Sequence, residues 1–152
     1  MGGRNGIGII AGLSLAVAIG ATAVQAKDTI QYKVVKEGIP KSLTEKPGDA
    51  AAGRKSAINR KQGNCLACHK MPVPEQAFHG EVGPDLAGIA GRLSEAEIRL
   101  RIVDPKVVNA ESIMPAFYKN TGLHRVLKKF KGKTVLSAQQ VEDIIAYLKT
   151  LK

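Results

Sequence analysis

Large aromatic rings are scarce in this chain of 152 residues: tryptophan is absent, and three Tyr and three Phe make up the whole 4%. A chain of this length supports one core and is short for two, and such a core ordinarily takes much of its buried area from rings. A large apolar body supplied from outside the polypeptide would fill that gap. Acidic residues are also few, 13 against 23 basic ones, for a net charge of +10. That balance favours acidic partners, anionic surfaces or nucleic acid. The cations are scattered, apart from Lys128, Lys129, Lys131 and Lys133. Neither zinc-finger spacing nor an aromatic stacking motif accompanies them, which sets nucleic acid aside. What remains is a solvated basic surface suited to an acidic protein or an anionic substrate. Internal repeats and low-complexity tracts are missing as well.

Charge is absent altogether from residues 5–26. Arg4 and the amino terminus stand before an apolar stretch at 7–19, and a small-residue zone ends in Val24-Gln25-Ala26. This order of positive, apolar and small residues is that of an export signal, with cleavage between Ala26 and Lys27 and delivery to the periplasm. An uncleaved anchor is the alternative, but the strongly apolar part falls short of the ~20 residues a span requires.

Three units follow from the composition: a signal peptide at 1–26, a polar N-terminal extension at 27–48 and a helical domain at 49–152. Residues 30–34 alternate briefly, as a short strand or extended arm, and Pro40 and Pro47 argue against a helix there. The first helix starts after the N-cap Asp49 and runs to about Lys61, with Gly63 as its stop. Residues 71–91 are rich in Pro and Gly and read as loop. Ser94 and Glu97 form a capping box for a helix that stops at Asp104-Pro105. Ser137 and Gln140 announce a final helix, whose Val141, Ile144, Ile145, Leu148 and Leu151 recur at helical spacing. The fold class is therefore all-α, three or four helices joined by loops long enough to need a buried body to order them.

The two cysteines stand in Cys65-Leu66-Ala67-Cys68-His69, the C-x-x-C-H signature of covalent haem attachment. Two thiols three positions apart reach the two vinyl groups of a porphyrin, and the next residue then lies where its imidazole meets the iron. A disulfide leaves His69 unexplained. A redox dithiol wants a preceding strand, and a helix precedes this motif. A zinc site wants four ligands, and no further cysteine exists.

The candidates for a second axial ligand are Met71, Met114, His79 and His124. Met71 lies too near His69 to reach the opposite face of the ring. Met114, in Ile113-Met114-Pro115-Ala116-Phe117, is favoured, because Pro115 stiffens the backbone beside it and His/Met ligation raises a reduction potential. Ordinary core filling is the competing role for Met114, and His79 is the next candidate ligand. Gly83-Pro84-Asp85-Leu86 stands where a carbonyl, that of Pro84, could accept a hydrogen bond from the outer nitrogen of His69. A plain turn is the alternative there.

With these motifs the chain resembles the class I cytochromes c over residues 49–152. The shared features are the helix with Gly53, the C-x-x-C-H motif, Gly83-Pro84, Met114-Pro115 and a last helix with Tyr147-Leu148. That resemblance implies crossed first and last helices, with Gly53 against Tyr147, and one-electron transfer at an exposed haem edge. Three longer stretches, Gly63 to His69, Arg99 to Lys106 and Ile113 to Tyr118, together with Val141 to Leu148, resemble the SoxX family in particular. SoxX proteins are the small haem subunits of periplasmic SoxAX complexes. The resemblance implies haem c held by Cys65 and Cys68, iron ligation by His69 and Met114, and a SoxA subunit as partner. It further implies oxidative joining of thiosulfate to the carrier SoxYZ (L-cysteine S-thiosulfotransferase), with electrons passing to a downstream cytochrome c. In such a complex this chain is the electron-transfer subunit and is not catalytic alone. The alternative is a free-standing periplasmic electron shuttle.

Overall fold

The computed structural model describes residues 1–2 and 29–152. The export signal read from residues 3–26 lies outside the described residues. Among the described residues four α-helices carry the fold: α1 (Ala50–Ile58), α2 (Ile89–Arg92), α3 (Glu95–Val103) and α4 (Ala138–Leu148). Single 3-10 turns at Cys65–Ala67, Pro105–Val107 and Lys128–Phe130 punctuate the loops. Among the described residues no helix is long and apolar enough to cross a membrane.

The caps act where the residue types place them. Asp49 accepts from the backbone N–H groups of Ala51 and Ala52 at 2.8 and 3.1 Å, and both bonds hold its carboxyl below the usual carboxylate range. Ser94 with Glu97, and Ser137 with Gln140, close reciprocal capping boxes. The first helix ends earlier than its composition suggests. Asn59 leaves the helix with extended backbone, its side chain accepts from Lys61 N at 2.9 Å, and its carbonyl accepts from Gln62 and Asn64. This Asx turn competes with the helix and wins. Gly63 is a packing residue instead of the stop, since a Cβ there would meet the Ser56 carbonyl oxygen at 2.6 Å.

Helices α1 and α4 form the main packing pair. A Cβ at Gly53 would overlap the Asp143 carbonyl and meet Ile144 N at 2.8 Å, so the two backbones touch there. The nearest neighbours of Gly53 at this crossing are the backbone of Asp143 and Ile144. The core is largely aliphatic, with Ala57, Val141, Ile144, Ile145, Leu100 and Val103 buried, and among the described residues its buried aromatic members are Tyr118 and Tyr147.

A strand at 30–34 does not form. The extension holds one isolated bridge, Val35 to Gly38, across a turn in which Lys36 is left-handed. The later part of the extension is nevertheless built into the core. Ile39 and Leu43 are buried, and Ile39 N donates to Ala96 O at 2.9 Å. Arg99 and Glu142, both buried, form a two-pronged ion pair with Nε–Oε1 and Nη2–Oε2 at 2.8 Å. Arg99 Nη1 also donates to Ile39 O at 2.7 Å, and Glu142 Oε1 accepts from Leu43 N at 2.9 Å. One charged network thus ties α3, α4 and the extension together.

Candidate haem attachment site

Asn64 takes the left-handed conformation (φ 50°) and turns the chain from α1 into the motif. The 3-10 turn that follows places Cys68 N and His69 N on the carbonyl of Cys65, at 3.1 and 2.9 Å. Leu66 points into the core, while Cys65, Cys68 and His69 stay partly exposed on one side. Both thiols are free. Before haem is attached, burial pushes the Cys65 thiol up to about 11.

The downstream loop lies along the motif in register. Gly80 N donates to Leu66 O at 2.7 Å, Gly83 N to Cys68 O at 2.7 Å and Leu86 N to Lys70 O at 2.9 Å. That ladder sets the Pro84 carbonyl 2.7 Å from Nδ1 of His69. A carbonyl can only accept, so Nδ1 carries the proton and Nε2 keeps the lone pair, the form in which imidazole binds a metal. Gly83 supplies the space. A Cβ there would overlap the imidazole, meeting Nδ1 at 2.6 Å and Nε2 at 2.8 Å.

The other candidates occupy different settings. Met71 is buried in the core. His79 has both ring nitrogens engaged: Nδ1 accepts from Met71 N at 3.3 Å, and Nε2 donates to Gln76 O at 2.9 Å. Its lone pair is therefore in use inside its own loop. His124 is exposed. Met114, half-buried, rides on a separate loop, 105–118. Lys106 Nζ donates to Ala110 O and Ser112 O at 3.1 and 2.7 Å, and Met114 N donates to Ser112 Oγ at 3.3 Å. The neck of the loop is closed by Phe117 N to Ile102 O at 3.0 Å and by the ion pair of Lys119 with Asp104 at 2.5 Å. The structure thus gathers Cys65, Cys68, His69 and Pro84 in one cluster and holds Met114 on a braced loop of its own.

These residues fit a covalent haem on their chemistry: two free thiols, an imidazole locked in its ligating tautomer, and a glycine cradle shaped to that ring. The closing pair Asp104–Lys119 and the brace at His79 escape a reading of the sequence, because nothing in their spacing marks which carboxylate and which amine meet.

A short helical frame around such a motif defines the c-type cytochromes. The chain belongs to the cytochrome c family, whose family model matches residues 50–152, and it carries haem c bound covalently. Cytochrome c2 of Rhodospirillum rubrum is 31% identical over 119 residues, spanning 69% of this chain and 99% of that protein. Among solved structures, a chain of the crystal structure of SoxXA from P. pantotrophus is 36% identical with a TM-score of 0.74, covering 80% of this chain and 94% of that one. The all-α class I cytochrome c architecture and the likeness to SoxX are thereby established.

Proposed function

We propose that the protein is the electron-transfer subunit of a periplasmic SoxAX complex. Cys65 and Cys68 would hold the haem, His69 and Met114 would ligate its iron, and the Pro84 carbonyl orients His69. When bound, the haem supplies a one-electron couple. The polypeptide's own part is positional. Pro84 holds the proton on Nδ1 and thereby keeps Nε2 available as a ligand. The braced loop presents the Met114 thioether, and a thioether opposite an imidazole raises the potential, as an electron acceptor requires. With His69 and Met114 both committed to holding the haem, this chain would act by electron transfer and would not be catalytic alone. The oxidative joining of thiosulfate to SoxYZ belongs to the SoxA side, and the electrons leave through this subunit to a downstream cytochrome c. Export follows from the signal at 1–26, cleaved near Ala26.

The observation that carries this reading is the likeness to the SoxXA chain, which extends over 94% of that chain and so reaches well beyond the attachment motif. A free-standing shuttle is the second reading, supported by the end-to-end match with cytochrome c2. Purification of the native protein from a sulfur-oxidising cell separates the two. Intact mass and a reduced-minus-oxidised spectrum report one haem in either case. Copurification with a SoxA subunit supports the complex; elution alone, with direct reduction of a terminal oxidase, supports the shuttle.

A further inference from the structure

Phe78 is the most exposed large side chain of the haem-proximal loops, at 92%, and its backbone is left-handed with φ 62°. A bulky residue in that region is a conformational outlier that persists only where its surroundings impose it. Here they do. On one side, Met71 and Val73 are buried, and Gln76 N donates to Val73 O at 3.0 Å. On the other, Gly80 N is fixed to Leu66 O at 2.7 Å. Between these anchors the His79 imidazole bridges Met71 N and Gln76 O. The backbone at Phe78 is therefore fixed between braced anchors while its side chain faces solvent.

Val82, 68% exposed, stands four residues on, in the same loop that is laddered onto Leu66, Cys68 and Lys70. Ala67 and Ala77 are exposed as well, and Glu81 is the one carboxylate within residues 76–84. The patch differs in kind from the lysine-rich loop at 128–133. Aromatic anchors held in a fixed conformation on an apolar, weakly charged patch are the feature that carries binding energy at protein interfaces. Such preorganisation also lowers the ordering cost of association.

We propose that Phe78, with Val82 of the same loop, is the anchor by which this subunit docks an apolar pocket of its SoxA-type partner, next to the haem attachment turn. The proposal rests on the SoxAX reading above. The occupant is a second kind of subunit and not another copy of this chain, because the solved relative is a SoxXA assembly and because an interface beside the attachment motif serves electron entry from a partner that itself does chemistry.

The test uses the haem-loaded protein and the purified SoxA subunit of the same organism, with binding followed by calorimetry and sedimentation. Phe78→Ser weakens association roughly 30-fold or more, and Val82→Ser weakens it to a smaller extent. Leu127→Ser, at an apolar position of another loop as exposed as Val82 (66% against 68%), leaves the affinity unchanged. The absorption spectrum, haem content and reduction potential of Phe78→Ser match the wild type, and its melting temperature is no lower. If Phe78→Ser binds SoxA as tightly as the wild type, the anchor assignment falls while the complex stands. If Phe78→Ser instead shifts the haem spectrum with affinity retained, Phe78 packs on the haem and the proposal is overturned. Failure of the wild type itself to bind SoxA overturns the SoxAX reading and this one with it. Self-association of the wild type that is abolished by Phe78→Ser, without SoxA binding, assigns the patch to a homodimer instead.

Discussion

Gly83→Ala is the most direct probe of how the chain holds its histidine ligand. The new methyl would stand 2.6 Å from Nδ1 and 2.8 Å from Nε2 of His69, whereas non-bonded heavy atoms settle near ~3.5–4.0 Å. Roughly 1 Å of movement is therefore required. The loop resists it, because Gly83 N is tied to Cys68 O at 2.7 Å, so the imidazole gives way and its 2.7 Å bond to Pro84 O is lost. Loss of such an outer-shell partner typically costs about 10–100-fold in metal affinity, or about 1.4–2.7 kcal/mol. If the whole loss falls on one oxidation state, a one-electron couple shifts by about 60–120 mV. The sign follows from basicity. An Nδ1–H bonded to a carbonyl makes imidazole a stronger donor and favours ferric iron, so the variant has the higher potential. Spectroelectrochemical titration of Gly83→Ala beside Gly91→Ala, whose Cβ meets nothing within 4 Å, measures the effect against a neutral control. A fully haem-loaded Gly83→Ala with the wild-type potential would refute the seating of His69 described above.

Met114→Ala opens one axial position, so the ferric spectrum changes and added imidazole binds, whereas His79→Ala leaves the axial spectrum as it is; an unaltered spectrum for Met114→Ala assigns the ligand elsewhere. Lys119→Met leaves the buried Asp104, whose Oδ1 has no partner among the described residues, without its cation. The cost of about 1–3 kcal/mol falls on the neck of the Met114 loop. Exogenous imidazole then enters roughly tenfold faster or more, and Lys119→Arg restores the wild-type rate in stopped-flow mixing. Arg99→Met strands a buried carboxylate at Glu142 and lowers unfolding free energy by about 3–5 kcal/mol in guanidinium titration. The double change Arg99→Met with Glu142→Leu recovers part of that loss, and failure to recover any would show that the ion pair is not the seat of the effect.

The chemistry of this protein is local, and local features are legible in a sequence. Cys65, Cys68 and His69 lie within five residues, so their spacing alone specifies the haem and the class of fold that carries it. The capped helices α3 and α4 are legible for the same reason: Ser94 and Ser137 act on backbone three residues away. Misreadings arose where two local signals competed, as at Asn59, where an Asx turn overrode the helix that composition favoured. What only the tertiary structure decided is every pairing across the chain. Arg99 met Glu142 and Ile39, Asp104 met Lys119, and Gly80 and Gly83 were laddered onto Leu66 and Cys68. Charge and hydrogen-bonding capacity are visible in a sequence, but partners are chosen by the packing of α1 on α4 and by the loops that packing sets in register. The same holds for Phe78, an ordinary apolar letter in the sequence, which only the rigid loop around it turns out toward solvent.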